Sequence, residues 1–196
     1  MPQLPHTTLA QVFLEARTFN AFSEQELPDA LLHELYDLAK WGPTSFNSQP
    51  ARFVFVRSPD AKARLAACLS PRNSDKTLKA PITAIVAQDS RFFEHLPAQF
   101  PANPKAGDMY SGDAHLAETT ALRNSSLQGA YLIVAARMLG LACGPMSGFN
   151  AAAVNEAFFP EGRYKANFLV NLGYGDTTGL RPRGPRLGFD EAAQIL

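Results

Sequence analysis

From Asp113 to Leu139 the chain runs without a proline and with a single glycine, Gly129. No other feature restricts the possible folds as tightly. A run of this kind propagates a helix, because no missing N–H or ring clash interrupts the i to i−4 ladder. The pattern is amphipathic at first and apolar on nearly all sides from Ala130 to Leu139, so this helix must be buried and central. It is no membrane span: the most apolar stretch, Gly129 to Cys143, is interrupted by Arg137 and falls short of the ~20 residues that a bilayer requires.

Shorter elements surround it. Leu9, Val12, Phe13 and Ala16 recur at helical spacing, and Arg17-Thr18-Phe19-Asn20 ends that segment. Ser23 with Glu26 has the form of a capping box, followed by apolar Leu31, Leu32, Leu35, Leu38 and Ala39 and a stop near Gly42-Pro43. Arg52 to Arg57 reads as a short buried strand closed by Ser58-Pro59, and Ile82 to Ala87 and Phe168 to Gly173 as two more, with a helical pattern over Ala61 to Leu69. Gly140 and Gly144-Pro145 end the long helix, and Asn150 can cap another through Phe158. Leu96 to Gly112 carries three prolines and little periodicity, which is the composition of a long loop such as a lid. The tail from Gly179 to Arg186 is rich in Pro, Arg and Gly, with a short helix over Phe189 to Ile195. At 196 residues the chain suffices for one domain, 1–196, with a substantial core.

Several chemistries lack support. With 18 basic and 18 acidic residues the net charge is zero, which argues against a general nucleic-acid or anionic-membrane binder and leaves any anion to a local cluster. Cys68 and Cys143 stand far apart, as in a reduced cytoplasmic protein, and Met1-Pro2-Gln3-Leu4-Pro5-His6 lacks the regions of a signal peptide. His6, His33, His95 and His115 never fall at metal-binding spacing, so no metal is expected. There is no G-x-S-x-G elbow and no Walker pattern. Gly173-Tyr174-Gly175 follows a strand, yet Thr178 replaces the third glycine of a dinucleotide fingerprint and Pro182 blocks its helix.

Polar groups gather elsewhere. In Trp41 to Pro50, two prolines stiffen a loop in which Thr44, Ser45, Asn47, Ser48 and Gln49 supply hydrogen-bonding side chains suited to the edge of a heterocycle, though an ordinary turn uses the same residue types. Arg17 with Thr18 and Asn20 suits a phosphate or a ring, and Arg183 and Arg186 add charge from the tail; singly, each arginine also reads as a solvated surface charge. Asn73 and Lys76 would point the same way on one helical turn. Gly144-Pro145-Met146-Ser147-Gly148 reads as a tight turn able to present backbone N–H groups, or as a plain helix connection.

In order, these pieces resemble the nitroreductase superfamily of FMN-dependent oxidoreductases over nearly the whole chain. Ala16 to Phe22 matches the N-terminal Arg/Ser-rich segment, and Pro43 to Pro50 the P-S-S-x-N-x-Q-P loop. Asn73 and Lys76, the turn Gly144 to Phe149, and Arg186 match the remaining three. The phrases Lys40 to Ser45, Arg123-Asn124-Ser125-Ser126 and Gly144 to Phe149 are similar to the malonic semialdehyde reductase branch, associated with uracil catabolism. Two positions depart: Ala16 stands where the first arginine is usual, and Gly184 where a basic residue often precedes the matched Arg186.

The resemblance implies an α+β fold, with a mixed, mainly antiparallel sheet flanked by helices, in an intertwined homodimer with FMN at the subunit interface. It implies that NADPH or NADH reduces FMN and that flavin N5 then passes hydride to 3-oxopropanoate, giving 3-hydroxypropanoate. Backbone N–H groups of Ser147 and Gly148, with Pro145 and Met146 leading into them, would face the ring near N5 and O4. Pro43, Thr44, Ser45 and Asn47 would line the ring, Asn73 and Lys76 hold its polar edge, and Arg17 and Arg186 the phosphate. Arg123 is the candidate for the substrate carboxylate, or an interface ion-pair partner, and Tyr110 the candidate proton donor. A broad nitroaromatic or quinone reductase and a non-catalytic flavin-binding protein fit the same residues, and a structural dimerisation module stays open beside them.

Overall fold

The computed structural model describes residues 2–178 and 180–196. Met1, which begins the segment read above for a leader, and Gly179, which begins the basic tail, lie outside the described residues. Four strands, β1 (Ala51–Val56), β2 (Ile82–Asp89), β3 (Ala142–Met146) and β4 (Tyr164–Gly173), form one sheet in the order β1-β2-β4-β3. Every pairing in it is antiparallel; parallel pairing among the described residues is confined to the bridge Thr18 to Cys143. Around the sheet lie α1 (His6–Leu9, continuing as a π-helical turn over Ala10–Leu14), α2 (Asp29–Ala39), α3 (Pro59–Ala66), α4 (Pro71–Lys79), α5 (Leu96–Gln99), α6 (Asp108–Ser111), α7 (Ala114–Met138), α8 (Ala151–Phe158) and α9 (Phe189–Ala192).

Strand β2 is buried along its whole length, which is why it reads as a continuous apolar run rather than an alternating one. Its side chains still alternate. Ile82, Ala84 and Val86 face a core built with Leu35, Leu132 and Leu172, whereas Ile85 and Ala87 face a second core with Leu65, Val154 and Leu169. The long helix is α7: Asp113 caps it through Leu116 N–H at 2.9 Å, and Leu132 and Ala136 are fully buried. Between Val86 and Ala87 the register with β4 slips by one residue, leaving Asn167 as a bulge. The Asn167 amide donates to the hydroxyls of Ser125 and Ser126 at 3.0 and 2.9 Å and thereby bolts α7 to the sheet.

Five expectations need correction. The Ser23/Glu26 box does not open α2, which begins at Asp29 behind Pro28; residues ahead of it are drawn in extended form by buried Leu27, whose carbonyl accepts from Arg57 at 2.8 Å. Ser58 does not merely close β1 but caps α3 through Ala61 N–H. Gly144 to Met146 is not a tight turn but the end of β3, an edge strand that tolerates Pro145; Gly144 fits because a Cβ there would lie 2.6 Å from the Phe19 carbonyl. Leu96 to Gly112 is no open lid, since Leu96, Ala106 and Tyr110 pack with Phe92 into a third buried cluster. The final helix stops at Ala192 and is exposed throughout.

Candidate cofactor site

The loop after α2 is held in an unusual backbone conformation. Phe46, Asn47 and Gln49 all have positive φ, at 52°, 52° and 41°, a region that costs a non-glycine residue about 1 kcal/mol or more. Such strain persists only where the surroundings over-determine it. Here Asn124 and Gln128, one turn apart on α7 and both buried, accept the backbone N–H groups of Ser45 and Ala51 at 2.8 Å each. Inside the loop, Thr44 Oγ1 accepts Gln49 N–H at 3.2 Å, and the Asn47 amide donates to the Gln99 carbonyl at 3.0 Å. Pro43, Ser45 and Asn47 are exposed and Thr44 half-buried, so the loop presents them to a neighbour, although Asn47 also receives the Gln49 amide at 2.9 Å. The Ser48 hydroxyl is buried without a partner among the described residues.

A separate wall forms where α4 meets the chain after β3, at the edge of the sheet opposite to β1, which the loop enters, so a single chain does not bring the two together. The carbonyl of Gly148 accepts from Ser70 N–H, the Ser70 hydroxyl and the Asn73 amide at 3.3, 3.2 and 3.1 Å. Asn73 therefore holds the Gly148 peptide as well as facing the same space. A Cβ at Gly148 would lie 2.6 Å from Asn73 Nδ2, which accounts for the glycine. Ser147 and Gly148 are exposed, and Pro145 and Met146 half-buried on the edge strand.

Positive charge converges on this wall. The Lys76 ammonium is held below the ordinary lysine range, first by burial and then by the nearby guanidiniums of Arg72 and Arg181. Arg17 donates to the Arg181 carbonyl, which joins the N-terminal segment to the tail. Among the described residues no carboxylate lies within ion-pairing distance of Arg17, Arg72, Lys76 or Arg181. Mutually repelling cations left unpaired suit an anionic ligand.

The two tail arginines named from sequence are held in different ways. Arg183 spends its guanidinium on the carbonyls of Leu14 and Ala16 at 2.6 and 2.7 Å and acts as a strut, while Arg186 turns back on Gly184 and Pro185 at 3.1 and 3.0 Å. Arg72 and Arg181 are cations near Lys76 that the sequence reading does not name. The signal for Arg181 was its place in the basic tail; Arg72 carried none, because only α4 brings it one turn from Lys76. Thr18 is exposed and its backbone bridges to Cys143, and Asn20 is exposed nearby.

The two remaining candidates lie apart. Arg123 is exposed on α7 and free of ion pairs among the described residues. Tyr110 is only 4% exposed, packed edge-on against Phe92 at 5.0 Å between ring centroids. It lines a separate cavity of about 260 Å³ with Gln88, Glu118 and Lys165, which contains no residue of the loop, of α4 or of the tail.

Comparison with known proteins gives one consistent result. The family model described as "Nitroreductase family" matches residues 14–174. A Burkholderia lata protein provisionally named NADH dehydrogenase/NAD(P)H nitroreductase is 57% identical over 195 residues, covering 100% of both chains. One of the same name from Stenotrophomonas maltophilia is 58% identical over 192 residues, covering 98% of this chain and 97% of the relative. In fold, the crystal structure of a provisionally assigned nitroreductase of Exiguobacterium sibiricum, solved in complex with FMN, superposes with a TM-score of 0.86 at 20% identity over 100% of each chain. With a family model spanning most of its length and relatives more than half identical to it, this chain belongs to the nitroreductase family.

Proposed function

We propose that the protein is an FMN-dependent oxidoreductase that draws reducing equivalents from NADPH or NADH and reduces malonic semialdehyde to 3-hydroxypropanoate. The observation that carries the cofactor is the unpaired cluster of Arg17, Arg72, Lys76 and Arg181 beside the Gly148 wall. It meets the two demands of a flavin mononucleotide together: cations for a phosphate and a backbone free of side chains for close approach of a planar ring. The orphaned Ser48 hydroxyl and the exposed Ser147 and Gly148 N–H groups add polar partners of the kind that a ring edge needs.

When bound, FMN would supply the hydride-carrying chemistry between the nicotinamide and the substrate. The chain's own residues bind and orient. Arg17, Arg72 and Arg181 neutralise phosphate, and Thr18, Asn20 and Arg183 flank that end, with Arg183 bracing the N-terminal segment. Lys76 and Asn73 hold the polar edge of the ring. Thr44, Ser45 and Asn47 line it with Pro43, and the 145–148 segment closes the opposite side. Arg123 is assigned to the substrate carboxylate because its guanidinium is unpaired and directly precedes Asn124, the anchor of the loop at Ser45. The carbonyl carbon gains hydride and its oxygen takes a proton from solvent.

We further assign a homodimer. Leu122, Leu127, Tyr131 and Met138 leave α7 between 43% and 51% exposed, and Trp41 is 77% exposed, an apolar surface that a second subunit would cover.

Arg123→Met should raise KM for the acid aldehyde far more than for an uncharged aldehyde; equal effects remove the carboxylate role. The nitroreductase names that the relatives carry favour a second reading, a broad nitroaromatic or quinone reductase with the same cofactor. Turnover of malonic semialdehyde against nitrofurazone and menadione separates the two. A flavin-binding protein without turnover would stay yellow under anaerobic NADPH and NADH, whereas the enzyme bleaches at once.

A further inference from the structure

The nearest thing to a mechanical device in this molecule is the pair of buried amides on α7. Side-chain oxygens in a helix core are costly unless bonded, and both of these are bonded to the same loop. Asn124 is 2% exposed and Gln128 4%. The first accepts Ser45 N–H and the second Ala51 N–H, each at 2.8 Å, so they grip the loop immediately before and after its three left-handed residues. The Asn124 amide also donates to the Thr120 carbonyl at 2.8 Å, which fixes the orientation of its acceptor. Helical spacing of four puts the two amides one above the other, at a separation set by the helix rather than by the loop.

We propose that Asn124 and Gln128 are positioning residues that impose the strained shape of the Phe46 to Gln49 segment and so set the wall against which the flavin ring lies. This rests on the FMN reading above. The strain supports the inference: without external anchors, three residues within four at unfavourable φ values would relax toward ordinary turn geometry, and the exposed side chains of Ser45 and Asn47 would shift with them. The amides do this from the element least able to move. The same helix is bolted to β4 by Asn167 through Ser125 and Ser126, so the loop is referenced to the sheet. An alanine at 124 or 128 leaves the helix intact but removes one anchor.

Asn167→Ala supplies the comparison, because it loosens the same helix without touching either loop contact. The holoprotein variants Asn124→Ala, Gln128→Ala and Asn167→Ala should be compared by FMN dissociation constant, visible circular dichroism of bound flavin, and amide exchange at Ser45 and Ala51. Each loop-anchor variant should weaken FMN by about tenfold and alter the flavin dichroism. Asn167→Ala, even with a similar fall in Tm, should stay within about twofold of the parent. Amide exchange should quicken at Ser45 in the first variant and at Ala51 in the second. Unchanged exchange at both amides, or equal loss of FMN in all three variants, overturns the proposal. Quickened exchange in the two loop-anchor variants of a parent that itself binds no FMN would keep the imposed loop shape and overturn its link to flavin, together with the FMN reading itself.

Discussion

Lys76 brings the proposed anion site down to one titratable side chain. Burial and two neighbouring guanidiniums depress its pKa, which disfavours the charged form until an anion arrives. An anion binds the protonated lysine, so FMN affinity should fall as pH rises through this lowered pKa, and Lys76→Met should flatten that dependence while weakening binding at neutral pH. Titration of apoprotein with FMN from neutral to alkaline pH checks the sign; affinity rising with pH contradicts it. Removing Arg181 should weaken FMN by about tenfold and removing Arg186 by no more than about twofold, since the first faces Lys76 and the second is folded onto its own backbone. Sequence alone names Arg17, Arg183 and Arg186 for an anion, whereas Arg72 and Arg181 come to notice only as neighbours of Lys76 in the fold. Arg183 reads in sequence only as added charge in a Pro/Arg/Gly tail, and the carbonyls of Leu14 and Ala16 reveal that it is a strut. Asn73 and Lys76 were legible because helical spacing of three needs no tertiary information.

Elements were legible where local pattern and tertiary demand coincide. The span of α7, the cap at Asn150 and the buried run of β2 all follow from periodicity and capping chemistry. β3 was not legible, because glycine and proline argue against a strand except at an edge next to a crowding backbone, here the Phe19 carbonyl. The Leu96 to Gly112 segment misled for a related reason: its prolines hide the buried contacts of Leu96, Ala106 and Tyr110, which lie too far apart to show a period. On α7, Leu132→Ala should lower unfolding free energy by about 2–5 kcal/mol, measured by urea denaturation, because the side chain is fully buried in the main core. A cost below about 1 kcal/mol would contradict the burial. Capping makes a smaller demand: Asp113→Ala should cost about 1 kcal/mol in the same assay through loss of the bond to Leu116 N–H.

For the whole molecule, the sheet and α7 form a frame that carries one loop before edge strand β1 and, after the opposite edge strand β3, a glycine wall with its cluster of cations. No helix among the described residues is long and apolar enough to cross a membrane. The apolar flank of α7 gives the proposed dimer its test: Leu127→Arg, at a side chain 45% exposed, should yield monomer in sedimentation velocity with little change in the core, whereas an unchanged mass removes this face from the interface. The central claim is that these groups hold FMN, and the visible spectrum of the protein after incubation with FMN and gel filtration tests it most directly. A retained flavin spectrum, with one heat-released FMN per chain and immediate bleaching by NADPH or NADH, is the expected result; a colourless protein under conditions that favour binding would contradict it.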